Sequence, residues 1–142
     1  MKLIIVSGLS GSGKSVTLDT LEDAGFYCID NLPIALLSNF VTLLTDSTNT
    51  LFHKTAVGID ARSDPSSLNN VTAFIEQLKN HRIDYEVIFL RASKDSLLKR
   101  FSETRRKHPL SNKDTSLDEA IDLEIDKLSL IASHASLQID TS

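Results

Sequence analysis

Eight consecutive residues near the start of the chain have the types and spacing of a phosphate-binding loop. They fit the pattern G-x-x-x-x-G-K-[ST], called the P-loop, and are Gly8, Leu9, Ser10, Gly11, Ser12, Gly13, Lys14 and Ser15. Glycines let the backbone curl so that successive N–H groups point at phosphate oxygens, and a following helix adds its partial positive charge. We expect Lys14 to reach the β- and γ-phosphates and the Ser15 hydroxyl to ligate Mg²⁺. The loop therefore predicts binding of a nucleoside triphosphate.

The residues on either side of this loop provide the context that a P-loop requires. The apolar run at 2–7 predicts a buried strand before the loop, and residues 16–21 predict the first turns of a helix after it. A Gly- and Ser-rich turn that fits the pattern by chance would need neither neighbour. The flanking segments therefore favour the P-loop over the chance turn.

Two aspartates that close predicted strands are candidates for the chemistry beside the phosphates. Asp60 ends the apolar strand 54–60, where a Walker B aspartate would hold the hydration shell of Mg²⁺ opposite Ser15. Asp30 ends the strand 25–30 and is a candidate catalytic residue that could orient a water or accept a proton from an acceptor hydroxyl. Each has a structural alternative, which is a cap or turn for Asp60 and an Asx-turn for Asp30.

Basic side chains concentrate between residues 91 and 107, which hold seven of the 15 Lys and Arg residues. Three interpretations stay open: a solvated helix face, a phosphate-clamping lid like that of small-molecule kinases, or a surface for RNA or an acidic partner. We expect Arg105 and Arg106 to serve phosphate binding or an interdomain surface, and arginine suits the first role because its guanidinium fork pairs bidentately with phosphate. Phe101 is the one aromatic residue in the cluster, which argues against a stacking platform for single-stranded nucleic acid.

The composition of the 142 residues is that of a globular domain with its own core. Apolar residues make up 41% and charged residues 24%, and the net charge of −4 does not favour a nucleic-acid binder. No apolar run approaches membrane-spanning length, and we expect no signal peptide because the chain enters a strand at once. The single Cys28 excludes an internal disulfide and fits a reducing compartment. These features predict a cytoplasmic location.

Predicted strands and helices alternate along the chain. The strands are 2–7, 25–30, 54–60, 85–90 and 137–140, and the helices after the P-loop helix are 33–44, 65–80, 94–107 and 117–132. Ser116 and Glu119 form a capping box at the start of the last helix. Helices of this length between strands favour right-handed crossovers and a parallel sheet. We predict an α/β fold, a parallel five-stranded sheet with helices on both faces, as in the three-layer sandwich of kinase-like P-loop NTPases.

Four segments together resemble the RapZ/YvcJ family of bacterial nucleotide-binding proteins. They are the P-loop, Asp30-Asn31-Leu32-Pro33, Asp60-Ala61-Arg62-Ser63, and the stretch S-E-T-R-R-K-H-P-L at 102–110. The last stretch, combined with D-N-L-P, is far more specific than the P-loop alone. The resemblance covers the whole chain. Leu9 stands where the family often has Arg or Met, and Arg91 stands where an Asp is expected.

The resemblance implies ATP or GTP at the P-loop with Mg²⁺, weak NTP hydrolysis at most, and a GTP-binding role for Asp60, Ala61, Arg62 and Ser63. It also implies an RNase adapter that binds small regulatory RNA, directs its processing by RNase E, and is a homo-oligomer when full length. Most RNA recognition would lie in a second domain, so residues 1–142 would be the N-terminal nucleotide-binding domain. The alternative function is a small-molecule P-loop kinase.

Overall fold

The computed structural model describes residues 2–45, 53–60, 70–104 and 107–142, and these residues form five strands and five α-helices. The strands are β1 (Lys2–Gly8), β2 (Tyr27–Ile29), β3 (Lys54–Ile59), β4 (Asp84–Arg91) and β5 (Leu137–Asp140). The α-helices are α1 (Lys14–Asp23), α2 (Leu37–Leu44), α3 (Val71–Asn80), α4 (Lys94–Thr104) and α5 (Leu117–Ser133), and a 3₁₀ turn (Ile34–Leu36) precedes α2. Among the described residues, no helix combines the length and apolar character that crossing a membrane would need.

The five strands form one parallel sheet in the order β2-β3-β1-β4-β5. Strand β1 lies in the middle, where Ile5 is opposite Val57 of β3 and Val87 of β4. From β1 the chain turns toward one edge of the sheet, and from β3 it turns toward the other. Ligands of open α/β sheets bind beyond the carboxyl ends of strands at such a reversal. The topology therefore directs attention to the loops after β1 and β3.

Helices cover both faces of the sheet. Successive side chains of β1 point to opposite faces, and each face packs into its own apolar cluster. Ile4 and Val6 pack with Leu18 of α1 on one face. Leu3 and Ile5 pack on the other face with side chains from α2, α3, α4 and α5, among them Val41, Leu78, Leu97 and Ile121. This arrangement confirms the predicted α/β fold with helices on both faces.

Some element boundaries differ from the predicted ones for local reasons. Strand β2 is shorter than predicted, because Gly25 and Phe26 belong to the C-terminal cap of α1. Gly25, with φ +96°, donates to the carbonyl of Glu22, and Phe26 donates to that of Leu21, as in a Schellman motif. The helix predicted from residue 33 instead opens as a 3₁₀ turn.

Helix α5 begins as the sequence predicts and then carries an unusual residue on its buried side. The Ser116 hydroxyl accepts a hydrogen bond from the Glu119 N–H at 3.2 Å, which confirms the capping serine. The buried positions of α5 recur every three or four residues and are Ala120, Ile121, Glu124, Leu128 and Ile131. A glutamate therefore occupies a core position of an otherwise apolar stripe.

Candidate functional site

A cavity of about 420 Å³ opens beside the carboxyl ends of the central strands, with the P-loop as one of its walls. The P-loop residues that line the cavity are Ser10, Gly11, Gly13, Lys14 and Ser15. Asp30 and Asp60, which directly follow β2 and β3, line it as well. The structure therefore brings together the three sequence segments that were predicted to do phosphate chemistry.

Glycine conformations give the P-loop its curvature. Gly11 has φ +85° and Gly13 has φ +109°, in the left-handed region that glycine adopts without steric cost. Gly13 is also the N-cap of α1, and no side chain caps the first turn of that helix. The N–H groups of an uncapped helix start, together with the helix dipole, attract anions. This end of α1 therefore suits a phosphate group.

The other three P-loop residues hold the loop against the sheet instead of lining the cavity. A Cβ atom on Gly8 would lie 2.5 Å from the carbonyl oxygen of Leu90, so only glycine fits beside β4. The Leu9 N–H donates to that same carbonyl at 3.2 Å, and the Leu9 side chain is buried in the core. Ser12 is buried too, and its N–H donates to the carbonyl of Leu9 at 2.9 Å. Gly8, Leu9 and Ser12 thus shape the loop.

The Lys14 side chain reaches across the P-loop to the carbonyl of Gly8. Its ammonium group lies 3.4 Å from the carbonyl oxygen of Gly8, to which it donates across the loop. Lys14 also lines the cavity beside the N-terminus of α1, and a positive charge there suits phosphate oxygens.

Three residues with oxygen donors suitable for Mg²⁺ line the cavity. They are Ser15, Asp30 and Asp60, of which Asp60 is 6% exposed. Gly58 leaves room for Asp30, because a Cβ atom there would lie 3.0 Å from the Asp30 Oδ1 atom. Within the described part of the chain, no group of three or more His, Cys, Asp or Glu side chains could hold a metal ion alone. This donor set fits Mg²⁺ that is also ligated by phosphate oxygens and water.

Helix α4 forms another wall of the cavity, where Arg100 links the P-loop to the residue that follows β5. The Arg100 guanidinium donates to the carbonyl of Gly11 at 2.9 Å, to the Thr141 hydroxyl at 3.2 Å and to the Thr141 carbonyl. The Thr141 hydroxyl in turn donates to the carbonyl of Ser12 at 2.8 Å. Of the basic-cluster residues that the structure describes, Arg100 and Lys107 line the cavity.

Several predicted site residues fall outside the part of the chain that the structure describes. These are Ala61, Arg62 and Ser63 after β3, and Arg105 and Arg106 after α4. Their assignment to nucleotide binding stays a prediction.

The sequence interpretation missed two buried residues behind the P-loop, Glu124 and His108. The Glu124 carboxylate accepts the Ser10 N–H at 2.7 Å and the Ser10 hydroxyl at 2.5 Å. His108 lies 3.2 Å from the same carboxylate through its Nε2 atom. A signal was present in each case: Glu124 interrupts an apolar stripe, and His108 lies in the K-H-P-L segment.

The negative charge of Asp140, at the end of β5, is stabilised by neighbouring hydrogen-bond donors and positive charges. The Ser142 hydroxyl and N–H donate to Asp140 at 2.6 and 2.9 Å and lower the pKa of its carboxyl group. The charges of Arg91 and Arg100 act in the same direction on that pKa. Asp140 therefore stays ionised beside the basic side of the site.

Sequence comparison matches the whole chain, residues 1–142, to the family described as the RapZ-like N-terminal domain. A nucleotide-binding protein of Pseudomonas putida strain GB-1 is 54% identical over 142 residues, which are 100% of this chain and 50% of that protein. A nucleotide-binding protein of Methylococcus capsulatus is 49% identical, and the match covers 100% of this chain and 48% of that protein. The chain thus spans about half the length of the curated relatives it matches.

Solved structures with the same fold include a kinase and a nucleotide complex. A gluconokinase from Sinorhizobium meliloti aligns with a TM-score of 0.57 and 16% identity, over 99% of this chain and 83% of that one. The YorR protein of Bacillus subtilis in complex with phosphorylated GDP aligns with a TM-score of 0.58 and 16% identity, over 97% and 84%. At these identities the likeness concerns the fold alone. The chain belongs to the RapZ-like N-terminal domain family and has the α/β fold of kinase-like P-loop NTPases.

Proposed function

We propose that this chain binds a nucleoside triphosphate, ATP or GTP, together with Mg²⁺ in the P-loop cavity. The observation that carries the proposal is the convergence of Lys14, the uncapped start of α1 and the Asp60 carboxylate on one cavity. Positive groups there suit phosphate oxygens, and an acidic group suits the metal ion. The names of the Pseudomonas and Methylococcus relatives, which are nucleotide-binding proteins, support the same function.

Each lining residue has a role in this proposal that follows from its chemistry. Lys14 and the backbone of Gly11 and Gly13 hold the phosphates, and Ser15 and Asp60 hold Mg²⁺ directly or through its water shell. From the family resemblance, Ala61, Arg62 and Ser63 extend the nucleotide site. Arg105 and Arg106 of the basic cluster are assigned to phosphate binding or to an interdomain surface, because the guanidinium group pairs well with phosphate.

At the level of the full-length protein, we infer a cytoplasmic RNase adapter whose nucleotide-binding half has a regulatory role. Family membership supports this inference, and the twofold length of the relatives leaves room for the RNA-binding domain. Small regulatory RNA and RNase E are then partners of a full-length homo-oligomer.

The side chain of Asp30 is exposed, so the cavity does not shield this candidate base from bulk water. That exposure favours slow hydrolysis at most.

The second candidate function is a small-molecule kinase. Asp30 favours it, because this carboxylate lines the phosphate cavity and could accept the proton of an acceptor hydroxyl. Nucleotide turnover with and without acceptors separates the two functions, and gluconate and shikimate are suitable first acceptors. Slow nucleotide turnover that is the same with and without an acceptor supports the regulatory nucleotide-binding function. Rapid ADP production that requires an acceptor supports the kinase.

Calorimetry of ATP and GTP binding tests the site directly. We expect wild-type binding in the presence of Mg²⁺, and we expect Lys14→Ala to weaken it by at least about 2 kcal/mol, the value of a charge-assisted contact. Lys99→Ala is the matched control, because Lys99 is an exposed lysine of α4 that does not line the cavity. Equal affinities for wild type and Lys14→Ala would contradict nucleotide binding at the P-loop.

A further inference from the structure

A buried chain of hydrogen bonds behind the P-loop joins two walls of the nucleotide cavity. It runs from Ser10 of the loop through Glu124 of α5 to His108, which lies between α4 and α5. We propose that Glu124 and His108 are positioning residues that set the nucleotide affinity of the P-loop without touching the nucleotide. This inference rests on the proposed nucleotide binding and assigns it two further residues.

The Glu124 carboxylate is fully buried, so it needs donors on its oxygens. One oxygen, Oε1, accepts the Ser10 N–H at 2.7 Å and faces His108 Nε2 at 3.2 Å. The other oxygen, Oε2, accepts the Ser10 hydroxyl at 2.5 Å. Two of the three contacts go to a single P-loop residue, so the carboxylate fixes both the backbone and the side chain of Ser10.

The hydrogen bonds of His108 define its tautomer. Its Nδ1 atom accepts the Leu110 N–H at 3.0 Å, so that nitrogen carries no proton. The ring proton therefore resides on Nε2, which donates to Glu124. His108 is 1% exposed, and its ring centroid lies 5.3 Å from that of Phe101. The imidazole is thus held on both nitrogens and by packing, as a rigid spacer requires.

This chain of hydrogen bonds borders the cavity directly at Ser10, and at its other end only through the sequence neighbours of His108. Ser10, Lys107 and Pro109 line the cavity, but neither Glu124 nor His108 does. Lys107 and Pro109 are the sequence neighbours of His108, so anchoring the imidazole also anchors them. Glu124 and His108 can therefore act on bound phosphate only through the residues that they hold.

We expect the contacts of Glu124 and His108 to hold the P-loop in its binding conformation before phosphate binds. Because Glu124 takes the Ser10 N–H, the backbone at Ser10 is held on the side of α5. A preformed loop loses less conformational freedom on binding than a loop that must order around its ligand. Removing the carboxylate should therefore weaken nucleotide binding even though no phosphate contact is removed.

Three variants of the 142-residue chain test the inference by calorimetry with Mg²⁺-ATP and Mg²⁺-GTP. We expect Glu124→Ala to weaken binding at least about tenfold, as expected for loss of a charge-assisted hydrogen bond to the loop. Glu124→Gln should stay within about threefold of wild type, because its amide can accept at Oε1 and donate to a rotated Ser10 hydroxyl. Asp126→Ala, an exposed acidic residue of the same helix, should leave the affinity unchanged.

The pattern of outcomes separates positioning from general stability and from the proposed function. A folded Glu124→Ala that binds like wild type overturns the inference, and so does a Glu124→Gln that binds as weakly as Glu124→Ala. If circular dichroism shows that Glu124→Ala does not fold, His108→Asn decides, because it is too short to reach Glu124 and should weaken binding several-fold. Unchanged affinity in folded His108→Asn then overturns the inference. A wild-type chain that binds neither nucleotide overturns the proposed function and this inference together.

Discussion

Asp60 and Lys14 bring side chains of opposite charge to the same cavity. Lys14 brings a positive charge to the curve of the P-loop, where its ammonium group donates to the Gly8 carbonyl. Asp60 brings a carboxylate that is almost fully buried and lines the same cavity. We propose that this carboxylate helps to hold Mg²⁺ beside the phosphates, as a Walker B aspartate does.

Asp60→Asn tests this explanation through its dependence on Mg²⁺. The amide keeps the size of the side chain but removes the negative charge, so nucleotide affinity measured with Mg²⁺ should fall. Affinity measured without Mg²⁺ should fall less or rise, because a repulsive charge near the phosphates is gone. Calorimetry in both buffers gives the comparison, and Asp95→Asn on the exposed face of α4 is the matched control. An equal loss in both buffers would make Asp60 a structural residue.

Among the secondary-structure elements, the position of Asp30 depends on how closely β3 approaches α1 and the end of β2. Gly58 of β3 lies against α1 and the end of β2: a Cβ atom there would be 3.0 Å from Asp30 Oδ1 and 3.2 Å from Leu18 Cδ1. The Leu32 N–H also donates to the Gly58 carbonyl at 3.1 Å. The absence of a side chain at Gly58 thus allows Asp30 to sit beside the central strands.

We expect Gly58→Ala to destabilise the domain by about 1–3 kcal/mol, the usual cost of overpacking. The methyl group must displace Asp30 or Leu18, and the gain of about 0.5–1 kcal/mol from replacing a strand glycine does not offset this. Urea denaturation monitored by circular dichroism measures the change. In an Asp30→Ala background the cost of Gly58→Ala should be smaller, since one of the two close contacts is gone. A stability equal to wild type would show that α1 adjusts freely.

For the whole molecule, the distribution of charge argues against strong RNA binding by residues 1–142. The net charge is −4, and the basic cluster also contains Asp95 and Glu103. Two of its basic residues are already paired within the domain. Lys94 contacts Asp118 at 2.9 Å and Asp122 at 3.0 Å, and Arg100 donates to Gly11 and Thr141. Affinity for RNA depends largely on cations that are free to neutralise phosphates.

We therefore expect residues 1–142 to bind RNA no more tightly than about 1 µM near physiological salt, in the range of non-specific binding. A gel-shift titration with a structured small RNA measures this affinity, and Arg105→Ala/Arg106→Ala is the paired variant. Arg105 and Arg106 are then assigned to phosphate or to an interdomain surface. Submicromolar binding that disappears in the double variant would contradict this assignment and would make the region after α4 an RNA site.

Local sequence was sufficient for the features that depend on neighbouring residues. The P-loop, the strand before it and the helix after it are read from one short segment, because glycine conformation and periodicity act within a few residues. The Ser116 cap was predictable for the same reason and is present. Alternation of strands and helices was also sufficient to predict the parallel sheet with helices on both faces, which the structure confirms.

Tertiary structure decided which distant residues complete the site. The alternation of strands and helices along the sequence is compatible with several strand orders. The order β2-β3-β1-β4-β5 is set by the folded chain. Glu124 meets Ser10 across 114 positions, and Arg100 meets Gly11 across 89. A charged residue on a helix is usually solvated, so the local sequence gave no reason to connect Glu124 with the P-loop. Arg100 lies in the basic cluster that suggested a phosphate-binding lid, but only the folded chain shows that it contacts the loop. The contact of Glu124 with Ser10 follows from packing, because a fully buried carboxylate needs partners that only the folded chain brings within reach.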